Sequence, residues 1–487
     1  MVEALRTVGR RLITLDLRAL ALWRIALGVV SLLDIALRAR DLQAFYGDQG
    51  MLSRPFYFTQ SWQFEGYNLF LAAGSLGTLI AMFGLWAAAA TCLTVGYYSR
   101  LAGLLTWYFS AAVQLRNPMV LDGGDDFIRV LLFWTPFLPL GARWSVDARS
   151  HPEWRTLPNS YASVATAGLT FQLFVFYLFA AILKFGDEWL KTGDSLYYAL
   201  AMDQFATSFG HALVAYPEAL RPMTWAALVV EYGLALLLLL RGLTPRAQTV
   251  FYIVAVGFHL AIASMLNFGL FMLIVIAGLT VMFPTPWLER LAPSSTGDPS
   301  PPEPLPSGFR LSRPLQALGM AIIGMIAIFN VHSIEHRQRV PAWSWPIAKL
   351  TFEQQHWHFF APDPIKSDGW FRLEVTGEDG KTVNAWPFEA HPGDGKPGHV
   401  ASTFPNQRWR RWMQNLTDID NPSNVGWRAR TLEYLAKDWE RRHPEQKARG
   451  FALVLMVEPT PPPGGSVAPQ RVVLATLGRP GEPRSGP

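Results

Sequence analysis

Apolar residues fall along the chain in long unbroken runs. Nine stand out, at roughly 20–37, 76–97, 101–115, 127–141, 163–184, 222–240, 248–266, 268–283 and 315–331. About 20 apolar residues cross a hydrocarbon core of about 30 Å. The pattern therefore predicts an all-α polytopic membrane domain with about nine transmembrane helices. The runs at 101–115 and 127–141 are short, so tilted, broken or buried helices are expected there.

The pattern changes after residue 334. Trp370 to Val375 and Thr382 to Trp386 flank Glu378-Asp379-Gly380, a hairpin signal. Phe451 to Val457 and Arg471 to Leu477 read as strands joined by a Pro/Gly loop, and Trp427 to Arg442 as a helix. Residues from Arg479 onward read as a frayed end. The predicted organisation is a transmembrane domain over 1–290, a Pro-rich linker over 291–314, a last transmembrane helix over 315–334 and a small extramembrane α+β domain over 335–487.

Composition sharpens this division. Of 487 residues, 50% are hydrophobic and 16% charged, and mean hydropathy is +0.17. Residues 1–334 hold 22 basic and 20 acidic side chains, about 13% of the segment; residues 335–487 hold 20 and 17, about 24%, close to a soluble protein. A disordered chain is excluded, and an ordinary cytosolic enzyme is disfavoured. The net charge of +5 is not gathered on any arm, so no nucleic-acid partner is expected. The lone cysteine, Cys92, allows no disulfide, CxxC pair or cysteine-rich zinc site within the chain.

Charge also sets the expected orientation. Arg6, Arg10, Arg11 and Arg18 precede the first run, which reads as a retained signal-anchor. With the N-terminus inside, the inside segments carry 13 Lys and Arg against 6 outside. Nine spans then place the C-terminal domain outside.

A charge in mid-membrane costs about 2.5–3.5 kcal/mol, so such groups are the first candidates for chemistry. Glu231 reads either as a protonated carboxyl bonded to a neighbouring helix or as a proton relay or substrate contact. His259 reads either as an interhelical hydrogen bond or as a functional group. Arg24 reads as a snorkelling anchor. Lys184 ends the fifth run, with Asp187 and Glu188 at i+3 and i+4. A snorkelling lysine paired locally is one reading; a neutral lysine acting as a base is the other. Arg129 lies three and four residues after the acids of Asp122-Gly123-Gly124-Asp125-Asp126, as expected of a local ion pair. The pairs His356/His358 and His332/His336 give too few ligands, and no metal site is expected. Phosphate-loop, nucleophile-elbow and HExxH motifs are absent.

Four stretches in order carry a family pattern. They are Trp23 to Gly28 through Asp41-Leu42 to Gly50-Met51-Leu52; Arg116-Asn117-Pro118 with Trp144-Ser145-Val146-Asp147; Tyr177 to Lys184 with Trp189; and His259 followed by Phe268-Gly269-Leu270-Phe271. Together they resemble the HTTM (horizontally transferred transmembrane) domain, shared with vitamin K-dependent gamma-carboxylase. Gln354 to Pro362 and Asp368-Gly369-Trp370 resemble an extension found on bacterial members, which implies a bacterial inner membrane. The resemblance implies carboxylation of glutamyl groups coupled to oxidation of a reduced vitamin K or similar quinone, with carbon dioxide and oxygen as cosubstrates. It implies Lys184 as the base, with His259 and Asp125 in the catalytic set and Glu231, Arg116, Asn117 and Phe271 about the cofactor. Gly124 and Asp125 stand where the animal carboxylase has an Asn-His pair linked to catalysis. The implied partners are membrane lipid and a peptide or protein substrate on the outside face.

The alternative is a non-catalytic scaffold, or a lipid- or quinone-binding protein, that recruits a partner through its C-terminal domain. Trp409 to Trp412, with Arg408, Arg410 and Arg411, reads as a contact surface for such a partner or as an amphipathic helix packed on its own domain or the membrane. A transporter is disfavoured because no internal repeat is present.

Overall fold

Helices form where the apolar runs lie, and local chemistry sets their ends. The computed structural model describes residues 2–60, 68–72, 74–156, 158–292, 311–334, 357–389, 392–465 and 467–478. A short helix, α1 (Val2–Ile13), precedes α2 (Leu17–Ala39), whose cap Asp16 accepts the Arg18 N–H. Helix α3 (Leu76–Val95) starts on Ser75 and stops at Gly96, and α4 (Ser99–Arg116) follows. A capping box of Asp122 and Asp125 opens α5 (Gly123–Phe133), and Ser163 with Thr166 opens α6 (Val164–Ile182). Then come α7 (Pro217–Leu240), α8 (Pro245–Met265), α9 (Phe271–Leu279), α10 (Thr285–Leu291) and α11 (Arg313–Ile334).

Six helices among the described residues, α2, α3, α6, α7, α8 and α11, are long and apolar enough to cross a membrane. The segment Phe271–Met282, bent by 83° against α10, brings the number to seven if the pair forms one span. The sequence expectation of about nine exceeds this for a physical reason. Pro136 lies in the 3-10 turn just past α5 and ends the 127–141 run early, leaving 11 helical residues, about 16 Å. Helix α4 carries Arg100, Gln114 and Arg116 within its 18 residues.

The bundle has two ends. At the N-terminal end, strand β1 (Leu15–Asp16) pairs antiparallel with β2 (Ser160–Tyr161). There Arg18 joins Asp16 at 2.7 Å and Glu289 at 2.5 Å. Arg241, just past α7, bonds Thr14 O and Met282 Sδ. Arg24 does not snorkel. It is fully buried and donates to the carbonyls of Leu93, Thr94 and Trp144 at 2.6–2.9 Å, tying α2 to the end of α3. Its guanidinium lies where a Cβ on Gly96 would come within 2.3 Å, and Gly96 has φ +73°, so both space and backbone call for glycine.

The C-terminal domain packs on the opposite end. Its sheet runs β4 (Thr382–Asn384), β3 (Ser367–Gly377), β5 (Ala448–Pro459), β6 (Gln470–Gly478), with every neighbour antiparallel. The expected hairpin is β3–β4, in the register Val375 to Val383. Two helices, α12 (Gln407–Asn415) and α13 (Asn424–Arg442), cover the domain. Asn406 caps α12 and also bonds Asp41 at 2.7 Å, beside Trp409 Nε1 on the same carboxylate at 2.9 Å. Trp409, Trp412 and Met413 share one face of α12 and enter a core that includes Phe45, Tyr46 and Phe83 of the bundle. The Trp409–Trp412 segment is thus packed within its own molecule, and only Arg411 of it is exposed.

Arg408 enters the bundle end itself. It donates to Asp34 Oδ1 at 2.8 Å, to both oxygens of Asp125 and to Val120 O. Arg38 completes the cluster through Asp34 at 2.8 Å, Asp125 and the Tyr46 hydroxyl. Burial alone would lower the Arg408 pKa; Asp125, Asp34 and Asp122 outweigh it and hold the group well above its usual value.

Candidate functional site

Between the bundle and the C-terminal domain lies a cavity of about 2090 Å³. Four sequence candidates, Lys184, Glu231, His259 and Phe271, line it together. Lys184 follows the last turn of α6, where helix carbonyls favour a cation, and its Nζ donates to Ala180 O at 2.9 Å. The same nitrogen meets Glu231 Oε1 at 2.6 Å and Oε2 at 2.7 Å from the middle of α7, and stands 5.2 Å from the centre of the Trp189 ring. Lys184 is 5% exposed. The expected local partners face elsewhere: Asp187 pairs with Lys191, while Glu188 pairs with Lys366 and accepts from Thr192. So the lysine is held in the protein by a carboxylate on another helix and does not reach for water.

One helix over, the Tyr177 hydroxyl lies 3.1 Å from His259 Nε2. The imidazole is 4% exposed, and its Nδ1 has no hydrogen-bond partner among the described residues. A buried ring nitrogen without a partner is costly unless a ligand satisfies it.

The C-terminal domain supplies part of the cavity wall. Phe359 sits 5.1 Å from Phe271 and 5.9 Å from Phe176, ring centre to ring centre. Trp357 is buried edge-on against Phe127 and Phe176. Trp189 Nε1 donates to Phe360 O at 2.8 Å, and Asp363 accepts the Glu188 N–H at 3.0 Å. Sequence reading missed Trp357, Phe359 and Phe360 as site residues, although the aromatic density around His358 was a signal. Tyr177 and Trp189 were noted only as landmarks of the Lys184 segment.

The cavity's other wall is polar. Gln204 Nε2 donates to Gly369 O at 2.9 Å, and Gln204 N–H to Asp368 at 3.0 Å. Burial raises the Asp368 carboxyl to about 6 despite that bond. Asp122 is likewise raised to about 6, by burial first and then by Asp125. Arg410 donates to Gln204 O at 2.9 Å and lies 4.5 Å from the centre of the Phe205 ring.

Three other candidates lie outside this lining. Arg116 is buried and donates to the carbonyls of Tyr46 and Leu52, and Asn117 to that of Phe45. Asp125 is held by Arg38 and Arg408. The expected local pair of Arg129 forms with Asp126, at 2.6 Å. No group of three or more His, Cys, Asp or Glu side chains is placed to hold a metal among the described residues. His358 is exposed at the cavity; His336 and His356 lie outside the described residues, as do the linker segment 293–310 and the chain from 479 onward.

Comparison with known proteins agrees with this architecture. The family profile of the HTTM domain matches residues 13–287, more than half the chain. Uncharacterized protein YitO of Bacillus subtilis (strain 168) is 26% identical over 204 residues, which cover 40% of this chain and 63% of that protein. The match thus spans less than two thirds of the relative's length. No solved structure matches. With its apolar helices and the matched segment running from before α2 to α10, the chain belongs to the HTTM domain family.

Proposed function

We propose that this protein is a membrane enzyme of the gamma-carboxylase type, in which the buried Lys184–Glu231 pair moves protons for a reduced vitamin K-type quinone and a glutamyl substrate. The observation that carries the reading is a lysine and a glutamate, joined at 2.6 Å, on the wall of a large cavity rimmed by aromatic rings. Such a quinone, on reaction with oxygen, supplies a base strong enough to take a glutamyl γ-proton, after which carbon dioxide adds to the carbon.

The residues present suit that cosubstrate. Phe176, Phe271 and Phe359 offer ring faces to a flat apolar body, and His259 Nδ1 offers an unmet hydrogen bond to a ring oxygen. The volume exceeds a single ligand pocket of about 300–1,000 Å³, leaving room for a second substrate. Lys184 and Glu231 share their proton count in two ways, as ammonium with carboxylate or as amine with carboxylic acid. In the second form the Lys184 lone pair accepts the O–H of Glu231, which holds the proton. Tyr177 fixes the imidazole of His259 through Nε2 and so directs Nδ1.

The test incubates purified protein with reduced naphthoquinone, labelled bicarbonate and glutamyl peptides. Label in the peptide, lost in Lys184→Ala, supports the reading; no label and no quinone epoxide would sink it. We also place the N-terminus in the cytoplasm of a bacterial inner membrane and the C-terminal domain outside, with an odd number of crossings between them. The positive-inside bias supports this, as does the packing of α1 and the C-terminal domain at opposite ends of the bundle. With Cys92 replaced, a single cysteine at Ser402 should react with a membrane-impermeant maleimide in intact cells; reaction only after lysis reverses the orientation.

A second reading is favoured by one feature. All three donors of Lys184 are occupied, as in a structural lock. A non-catalytic quinone-binding scaffold would show quinone binding without turnover, and Lys184→Ala would change its stability and not its chemistry.

A further inference from the structure

The polar wall of the cavity holds a buried cation, Arg410. Arg410 is 7% exposed, yet it has no carboxylate within ion-pair distance among the described residues. Among the described residues its one hydrogen bond runs from Nη1 to Gln204 O and leaves Nε and Nη2 without a partner, and its side chain lines the cavity. Arg408, two residues earlier, shows the contrast: it is met by two aspartates. Exposed Arg411, which also lines the cavity, donates through Nε to Leu121 O and forms no ion pair among the described residues either. Asp122 and Asp368, which line the same cavity, act on Arg410 through space, but neither forms an ion pair with it. A buried guanidinium without a contact partner carries a desolvation cost, which a bound anion would offset. Burial accordingly pulls Arg410 down to about 10.

A continuous aromatic path leads away from this cation. From Phe205 beneath Arg410, rings step to Phe268 at 5.3 Å, Phe271 at 6.3 Å, Phe359 at 5.1 Å and Phe176 at 5.9 Å. Phe176 lies 6.4 Å from the His259 ring. All of these side chains line the same cavity.

We infer that Arg410, assisted by Arg411, is an anion subsite that holds the carboxylate or phosphate end of an amphipathic ligand whose apolar part lies along the aromatic path toward Lys184 and His259. This goes beyond the enzyme reading and does not rest on it: it assigns ligand binding to the C-terminal domain. The fork of guanidinium donors suits a planar carboxylate held through Nε and Nη2.

The test uses the full chain in an uncharged detergent and measures binding, not turnover, by calorimetry. The probes are a dodecanoyl glutamyl peptide, its glutaminyl counterpart and dodecyl phosphate. The glutamyl probe should bind at least about tenfold tighter than the glutaminyl one, as expected for a charge-assisted hydrogen bond. Arg410→Gln should erase that preference, Arg410→Lys should restore part of it, and Lys184→Ala should leave it intact. Retention of the preference in Arg410→Gln, or its absence in the parent, overturns the subsite. Tighter binding of dodecyl phosphate assigns the subsite to a phosphate headgroup, and the reverse order to a carboxylate. Should Arg410→Gln not fold, the parent's preference must still weaken as salt rises; a salt-independent preference overturns the proposal. A preserved preference in a protein without quinone turnover leaves the subsite standing and removes the carboxylase reading.

Discussion

Lys184 and Glu231 form a pair whose worth differs by context. Two charges buried together seldom stabilise a fold beyond what well-packed apolar residues would give, whereas losing one partner is costly. Glu231→Gln should therefore destabilise the protein by about 3–5 kcal/mol, read as a lower melting temperature in detergent. The double variant Lys184→Met with Glu231→Leu should melt at or above the parent temperature and yet be inactive. A double variant as unstable as the single one would mean that the pair serves the fold. Asp368 gives a pH-dependent counterpart. Its folded carboxyl is raised to about 6, so the protonated form is the one that folding favours. The stability this contributes is full below about pH 4, the unfolded value, and is lost as pH rises through about 6. Asp368→Asn keeps an oxygen for the Gln204 N–H. It should raise the neutral-pH melting temperature and flatten its change between pH 4 and 7, by up to about 3 kcal/mol. The individual residues Lys184, Glu231 and His259 were legible as rare polar groups in apolar runs. Their pairing was not, because Glu231 lies 47 positions away and only the packing of α6 on α7 selects it over nearby Asp187 and Glu188.

Elements were more legible than contacts. The β3–β4 hairpin, β5, β6 and helix α13 follow from alternation, turn residues and helical spacing, and they appear where expected. Span number was less so, because apolar runs do not report whether a proline cuts a helix short, as at Pro136, or bends it. One inter-element joint offers a clean test. Gly269, at φ +62°, sits between α8 and α9, where a Cβ would fall 1.3 Å from Gln407 Oε1. That oxygen accepts the Leu270 N–H at 2.8 Å, joining the bundle to α12. Gly269→Ala should turn the Gln407 side chain away, break its bond to the Leu270 N–H, lower the melting temperature and increase protease cutting of the C-terminal domain; an unchanged digestion pattern would refute this. The backbone strain at positive φ and the clash act in the same direction.

At the scale of the whole molecule, body and C-terminal domain share one core and one buried charge cluster, so they should unfold in a single transition. Arg408→Met removes one positive charge from two aspartates and should cost about 3–5 kcal/mol, read by loss of tryptophan near-ultraviolet circular dichroism from the domain and the bundle together. Two separate transitions would contradict the shared core. The sequence divided the chain by charge density into a membrane body and a soluble extension. It did not reveal that the extension completes the site through Phe359 and Arg410, because those contacts join residues far apart along the chain.

The distance in sequence between Arg408 and its acids bears on how the chain is born. Asp34 emerges from the ribosome 374 residues before the arginine that meets it, and Asp125 emerges 283 residues before. Through most of synthesis, the bundle end carries these two acids with Arg38 as their one direct cationic partner among the described residues. The late arrival of residue 408 balances the cluster and seats the extension in one step. A chain cut short after Ile334 would leave Asp34 and Asp125 without Arg408 and should be cleared by the cell's membrane proteases.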